Sequence, residues 1–142
     1  MNNIFQEFLD TYIATWRNSS LTELKNFISK DYKAREITGG EIVDFGYEQS
    51  ISGWEQGFHF VKENDAQWDL QIMSIFPIRK DEFLVIISAT IVIQGKRIET
   101  ANLFFQTFKR NSMDEWSLVR SYIEAGVPYV FLNNFHLNNF VK

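Results

Sequence analysis

The chain has 142 residues, 45% of them hydrophobic and 16% aromatic, with a formal net charge of −4. That length fits one domain, and the negative balance argues against nucleic acid and anionic membrane surfaces, whose affinity rests on cationic contacts. No cysteine occurs, which removes disulfides, thiolate metal sites and cysteine nucleophiles together.

Fourteen Phe and four Trp exceed what one compact core of this size needs. The surplus reads as lining for a pocket or an oligomer interface, because exposed apolar patches are costly unless used. Glu7 and Asp10 stand near the N-terminus with no basic leader before a long apolar run, so a signal peptide is not expected. No run of about 18 apolar residues is present to span a membrane. The expected location is the cytoplasm.

Ile4, Phe5, Phe8, Leu9, Tyr12, Ile13 and Trp16 recur at three- and four-residue spacing, which predicts a first amphipathic helix with an aromatic stripe. Asn18-Ser19-Ser20 breaks it. Ser20 and Glu23 form a capping-box pattern ahead of a short second helix that buries Leu21, Leu24, Phe27 and Ile28. Tyr32–Ile37 and Ile42–Tyr47 read as short strands around Gly39-Gly40. Ser52 and Glu55 offer a second capping box, and Trp54, Phe58 and Val61 carry a third helix to about Glu63.

Four amphipathic strands follow, from about Trp68 to Glu124. Lys80-Asp81 and Gly95-Lys96 read as two-residue turns. Pairing across them puts Trp68, Leu70, Ile72, Ser74 and Phe76 on the face that also carries Phe83, Val85, Ile87, Ala89, Ile91 and Ile93. Ile98, Thr100, Asn102, Phe104, Gln106 and Phe108 join the same face, which the apolar middle strand marks as the one covered by helices. The opposite face has an apolar centre, including Met73, Ile75, Leu84, Ile86, Leu103 and Phe105, and a polar rim. It resembles a protein interface more than a bare solvent face and reads as a surface for a partner. A longer loop, Asn111 to Asp114, leads to the last strand, Trp116 to Glu124, and Val127-Pro128 ends it. One domain is expected over 1–142, with its core at about 4–128 and a tail at 129–142 that docks on the body or on a sister subunit.

The order helix, helix, short strands, helix, then long meandering strands ending in Glu115-Trp116-Ser117-Leu118-Val119-Arg120 and Val127-Pro128 resembles the nuclear transport factor 2-like (NTF2-like) superfamily, nearest its SnoaL-like branch. The Trp-containing final strand followed by a proline is the best local match, and the resemblance covers roughly residues 4–128. It implies an α+β cone in which a strongly curved antiparallel sheet packs against three helices from the N-terminal half. It also implies a pocket between helices and sheet, and dimerisation through the outer sheet face. It implies no single reaction, since such folds host isomerases, dehydratases, cyclases and non-catalytic scaffolds.

Catalytic branches of that superfamily place a carboxylate or His in the pocket. A last strand that buries Trp116 and Leu118 would also turn Arg120, Tyr122 and Glu124 inward, with Asn102 opposite Tyr122 and Thr100 opposite Glu124. Glu124 is then the acid offered as a general base, with Arg120 or Asn102 holding an anionic or carbonyl group of a ligand. Tyr12, Trp16 and Trp54 close the pocket. All of these are equally consistent with plain packing, or, for Arg120 and Glu124, with a solvated strand end. His59 lies on the polar side of the third helix and reads as solvated. His136 has no partner at ligand spacing, so a zinc site is not expected. No phosphate-cradling loop or other cofactor motif is present.

Three functions follow from this reading. The leading one is a dimeric domain binding a small apolar or aromatic molecule. The second is a SnoaL-like or ketosteroid-isomerase-like enzyme moving a proton next to a carbonyl. The third is a non-catalytic assembly module.

Overall fold

The computed structural model describes residues 3–133. Helix α1 (Asn3–Arg17) leads into α2 (Leu21–Leu24), a 3-10 turn (Lys25–Phe27), β1 (Ile28–Thr38) and β2 (Glu41–Gly46). Helix α3 (Tyr47–Glu63) separates these from β3 (Gln67–Arg79), β4 (Glu82–Ile93), β5 (Lys96–Arg97), β6 (Thr100–Arg110) and β7 (Trp116–Pro128); α4 (Tyr129–Asn133) closes the described chain. The sheet runs in the order β2-β1-β7-β6-β4-β3, with β5 pairing β4. It is an α+β fold with a curved, unclosed sheet. All pairs are antiparallel except β1 with β7, which are parallel. No described helix is long and apolar enough to cross a membrane.

Helix α1 lies against the inner face because its aromatic stripe meets the aromatics of β4, β6 and β7. Phe5 stacks on Phe83 at 4.3 Å between ring centroids and packs against Trp116 at 4.8 Å. Tyr12 meets Phe108 at 5.1 Å, and Trp16 meets Phe104 at 5.1 Å, both edge to face. Such offset and edge-on geometries are the ones ring quadrupoles favour. Phe5, Leu9, Tyr12, Val85, Ile87, Phe108 and Leu118 are wholly buried.

Helix starts differ from the sequence expectation. α3 begins at Tyr47, ahead of Ser52, because the Gly46 N–H donates to Gln49 Oε1 at 3.0 Å and satisfies one of the helix's free amides. Its apolar positions Tyr47, Ile51, Trp54, Phe58 and Val61 then run unbroken at spacings of four and three. At α2 the Ser20 side chain makes no cap hydrogen bond. The helix is a single turn, started by the Leu24 N–H donating to the Ser20 carbonyl at 2.9 Å.

The tight turns at Gly39-Gly40 and Lys80-Asp81 fall where expected. The third turn is Gln94-Gly95, one residue earlier than expected, and both residues have positive φ (52° and 77°), as a type I′ hairpin requires. Two residues absorbed near Ile98-Glu99 restore the expected pairing, so Ala89 still faces Asn102 and Phe83 still faces Phe108.

Three bulges reverse other expectations, since an extra residue in one strand flips the alternation beyond it. At Met73 the register slips between Ile72↔Ile87 and Ser74↔Ile86. Ser74 and Phe76 therefore turn outward, and Ile75 packs against the core. At Val119 the register slips between Phe108↔Leu118 and Thr107↔Arg120. Arg120, Tyr122 and Glu124 thus face outward, while Ser121 and Ile123 turn in. The third bulge sets Asn102 against both Ala125 and Gly126, and Gly126 takes φ +70°. Asn102 therefore does not face Tyr122, nor Thr100 Glu124: the partners are Phe105 for Tyr122 and Pro128 for Thr100.

On the outer face, Leu132 of α4 covers Met73 and Ala101, with Ile86, Leu103, Val127 and Tyr129 around them. The rest of the tail, including His136, lies outside the described residues.

Candidate functional site

A cavity of about 440 Å³ opens between α3 and the inner face of β1, β2, β6 and β7. α3 contributes Gln49, Ser50, Gly53, Trp54 and Gly57, which helical periodicity collects on one face. β6 supplies Asn102 and Phe104, and Trp16 comes from the last turn of α1. The far wall is Tyr32 and Glu36 of β1, Val43 and Phe45 of β2, and Ile123 of β7. Parallel pairing of β1 with β7 sets Glu36 beside Ile123, and the β1–β2 hairpin sets it opposite Val43.

The aromatic part is a corner of rings. Trp16 stands edge-on to Trp54 at 4.7 Å and 89°, and edge-on to Phe104 at 5.1 Å and 83°. Trp68 adds a further ring 6.0 Å from Trp16, held by its Nε1–H donating to Ser19 Oγ at 2.9 Å.

The polar part is small. Among the described residues, Glu36 is the only charged one lining the cavity. Thr38 Oγ1 donates to one of its carboxylate oxygens at 2.8 Å. Asn102 Oδ1 accepts the Gly126 N–H at 3.0 Å, and Gln49 Oε1 accepts the Gly46 N–H. Each side chain thus keeps its amide NH₂ as a donor on the cavity wall. Burial pushes the Tyr32 hydroxyl pKa up to about 12; the Glu36 charge adds to this, and a hydrogen bond with Ser121 opposes it. Tyr32 is therefore a neutral hydroxyl at ordinary pH. Behind it, Tyr12 OH donates to Gln106 Oε1 at 2.8 Å, and Gln106 Nε2 donates to Ser121 Oγ at 3.4 Å. Burial raises the Tyr12 pKa well above the ordinary tyrosine value.

Of the residues singled out from sequence, Trp16, Trp54 and Asn102 line this cavity. Tyr12 does not; it is wholly buried in the core behind the wall. Arg120, Tyr122 and Glu124 are on the outer face, turned there by the Val119 bulge. Arg120 Nη2 donates to Glu82 Oε2 at 2.9 Å, and Tyr122 OH donates to Glu124 Oε2 at 2.6 Å. The latter bond is the main reason the Tyr122 pKa is raised. Glu124 therefore cannot act within this cavity, and the acid that reaches it is Glu36. His59 is exposed, with Nε2 3.3 Å from Glu63 Oε1 on the next turn of α3. The sequence signal for Tyr32 and Glu36 was their period-two spacing with Ala34 in β1. What sequence could not give was the parallel partner that turns this face inward.

The outer face carries a second, more open depression of about 710 Å³, lined by Leu84, Phe105, Thr107, Tyr122, Arg35 and Arg120, among others. Phe105 packs edge-on to Tyr122 at 5.9 Å, and Arg35 forms a two-pronged pair with Asp44 at 2.7 and 2.9 Å.

No protein-family profile matches the chain, and no curated protein matches it. Solved structures do resemble it. An NTF2-like protein of unknown function from Shewanella oneidensis superposes with a TM-score of 0.64 at 11% identity, covering 86% of this chain and 97% of that one. A domain of unknown function with a cystatin-like fold from Nostoc punctiforme gives 0.64 at 12% identity, over 94% and 83% of the two chains. A ketosteroid isomerase-like protein from Erwinia carotovora atroseptica gives 0.61 at 11% identity, over 89% and 96%.

Proposed function

We propose that this chain, an NTF2-like α+β fold, binds a small, largely aromatic molecule in the cavity between α3 and the sheet. The cavity itself carries the reading. Protein interiors pack to crystal density and leave few voids larger than a water. A space of about 440 Å³ lined by Trp16, Trp54 and Phe104 lies within the size range of ligand sites, with the few polar groups such sites use for orientation. Gly53 supports the same reading. A Cβ added there meets nothing within 4 Å, and the residue has no positive φ, yet glycine inside a helix costs about 1 kcal/mol relative to alanine. Neither close packing nor backbone conformation accounts for it, and the position is exposed and lines the cavity.

A proton-transfer reading follows from one further observation: Tyr32 and Glu36 of β1 both line the cavity. A ketosteroid-isomerase-like or SnoaL-like reaction would use Glu36 as base and Tyr32 as donor to a developing oxyanion. The two readings share one site and differ in whether Glu36→Gln abolishes turnover or only alters binding.

The protomer pairs with a second copy through the outer sheet face. Leu132 covers Met73 and shields Ile86 and Leu103 in part, so the contact centres on Leu84 and Phe105, with Phe76 and Ile78 alongside. The chain without cysteine suits a reducing cytoplasm.

The test is calorimetric titration of the full chain with 2-phenylethanol. The parent protein binds it with a dissociation constant between roughly 10 µM and a few millimolar, the range open to so small a ligand. Gly53→Phe blocks the cavity, and Trp54→Ala weakens binding at least about tenfold, which is about 1.4 kcal/mol. Parent-like affinity in both folded variants would count decisively against this site.

A further inference from the structure

We infer that the cavity selects an organic ammonium ion, an aromatic or apolar body carrying a protonated amine, over neutral or anionic molecules of the same shape. The inference rests on reading the cavity as a binding site and adds the charge of its occupant. Three observations carry it. Fourteen lysines and arginines occur in the chain, and none of the described ones lines the cavity. The single charged group that the described residues place on its wall is the Glu36 carboxylate, and no described Lys, Arg or His forms an ion pair with it. Thr38 Oγ1 occupies one carboxylate oxygen, Oε2, and no described side chain hydrogen-bonds the other.

The second observation is the ring corner. Trp16 stands at steep angles to Trp54, Trp68 and Phe104, while Trp54 and Phe104 lie nearly parallel at 15°, and all four line the one cavity. Indole faces are the strongest cation acceptors among side chains, and aromatic cages of this kind hold alkylated ammonium groups. Aromatic rings and a carboxylate on the wall of one cavity attract a cation twice, through the ring quadrupoles and through the full charge. An anion meets the same groups as repulsion.

The third observation is where five of the chain's arginines pair. Arg35 pairs with Asp44, Arg120 and Arg79 with Glu82, Arg110 with Asp81, and Arg97 with Asp69. These acids are neutralised from within the protein. Glu36 has no such partner among the described residues, and a ligand cation supplies one.

The experiment titrates the full chain at pH 7 with three probes of matched size: 2-phenylethylammonium, 2-phenylethanol and phenylacetate. Tryptophan fluorescence and calorimetry read binding. The ammonium should bind at least about tenfold more tightly than the alcohol, and phenylacetate most weakly of the three. Glu36→Gln should remove the ammonium's preference over the alcohol, reducing their affinity ratio from at least about tenfold to about one. Equal affinities for all three probes, or a preference for phenylacetate, would overturn the charge assignment and leave the binding site standing. Absence of binding by all three would overturn both. The ranking in the parent protein decides the matter even where Glu36→Gln fails to fold.

Discussion

Replacing Gly53 with alanine should stabilise the protein, although glycine-to-alanine changes at packed helix positions often do the reverse. Gly53 sits within α3, seven residues after Gly46, and a Cβ there meets no atom within 4 Å. The change therefore adds no clash and no contact. What remains is the helix propensity difference, about 0.8–1.0 kcal/mol, which arises from the greater backbone freedom glycine loses on folding. Unfolding entropy of about 2.1 cal/mol/K per residue gives roughly 0.3 kcal/mol/K over 142 residues. A gain of about 1 kcal/mol thus raises Tm by about 3 °C. Differential scanning calorimetry reads that shift, and urea unfolding should show a higher midpoint with an unchanged slope. Gly57 supplies the contrast: an added Cβ would rest 3.7 Å from the Trp68 ring, an ordinary contact. A Gly53→Ala variant that melts lower than the parent would refute the reasoning, because it would mean the wall at α3 is occupied.

Tyr12→Phe removes the donor to Gln106 Oε1, in a side chain with no exposure. Leaving that buried oxygen without a partner should cost about 1–3 kcal/mol in urea unfolding; a loss under about 0.5 kcal/mol would contradict the hydrogen-bond chain. Tyr32 sets an alkaline limit. Its folded pKa of about 12 lies above the unfolded value of 10, so the folded state keeps a proton the unfolded state has lost. That contribution is complete below pH 10 and is lost as pH rises towards 12, roughly 2–3 kcal/mol in all. Tyr32→Phe should flatten the fall in stability between pH 10 and 12, and an identical fall in both proteins would sink the assignment. Phe105→Arg places a charge at the centre of the proposed dimer contact. Sedimentation equilibrium should report the monomer mass, and a surviving dimer would rule out that face.

The chain announced its architecture through periodicity and hid its site behind bulges. The aromatic stripe of α1 and the all-apolar alternation of β4 were legible because each follows from local spacing and burial. So was the pairing of Ala89 with Asn102, even though the turn itself fell at Gln94-Gly95. Bulges have no comparable signature. Val119 sits in an unbroken Ser-Leu-Val-Arg run, yet it turns Arg120, Tyr122 and Glu124 away from the cavity. Glu36 was hidden for a different reason: its strand pairs in parallel with β7, some 85 residues later, and no local feature marks a non-local parallel partner. Trp16 and Trp54 were found because apolar helix positions facing a core must line whatever space the core leaves.

Four indole N–H groups give the most direct test of the cavity as a binding site. Trp16, Trp54 and Trp68 line it, whereas Trp116 packs at the other end of the core with Phe5 and Phe83. In a ¹H–¹⁵N correlation spectrum titrated with 2-phenylethylammonium, the first three indole resonances should move together along one binding curve while that of Trp116 stays in place. Movement of Trp116 alongside the others, or of none of the four, would contradict the account.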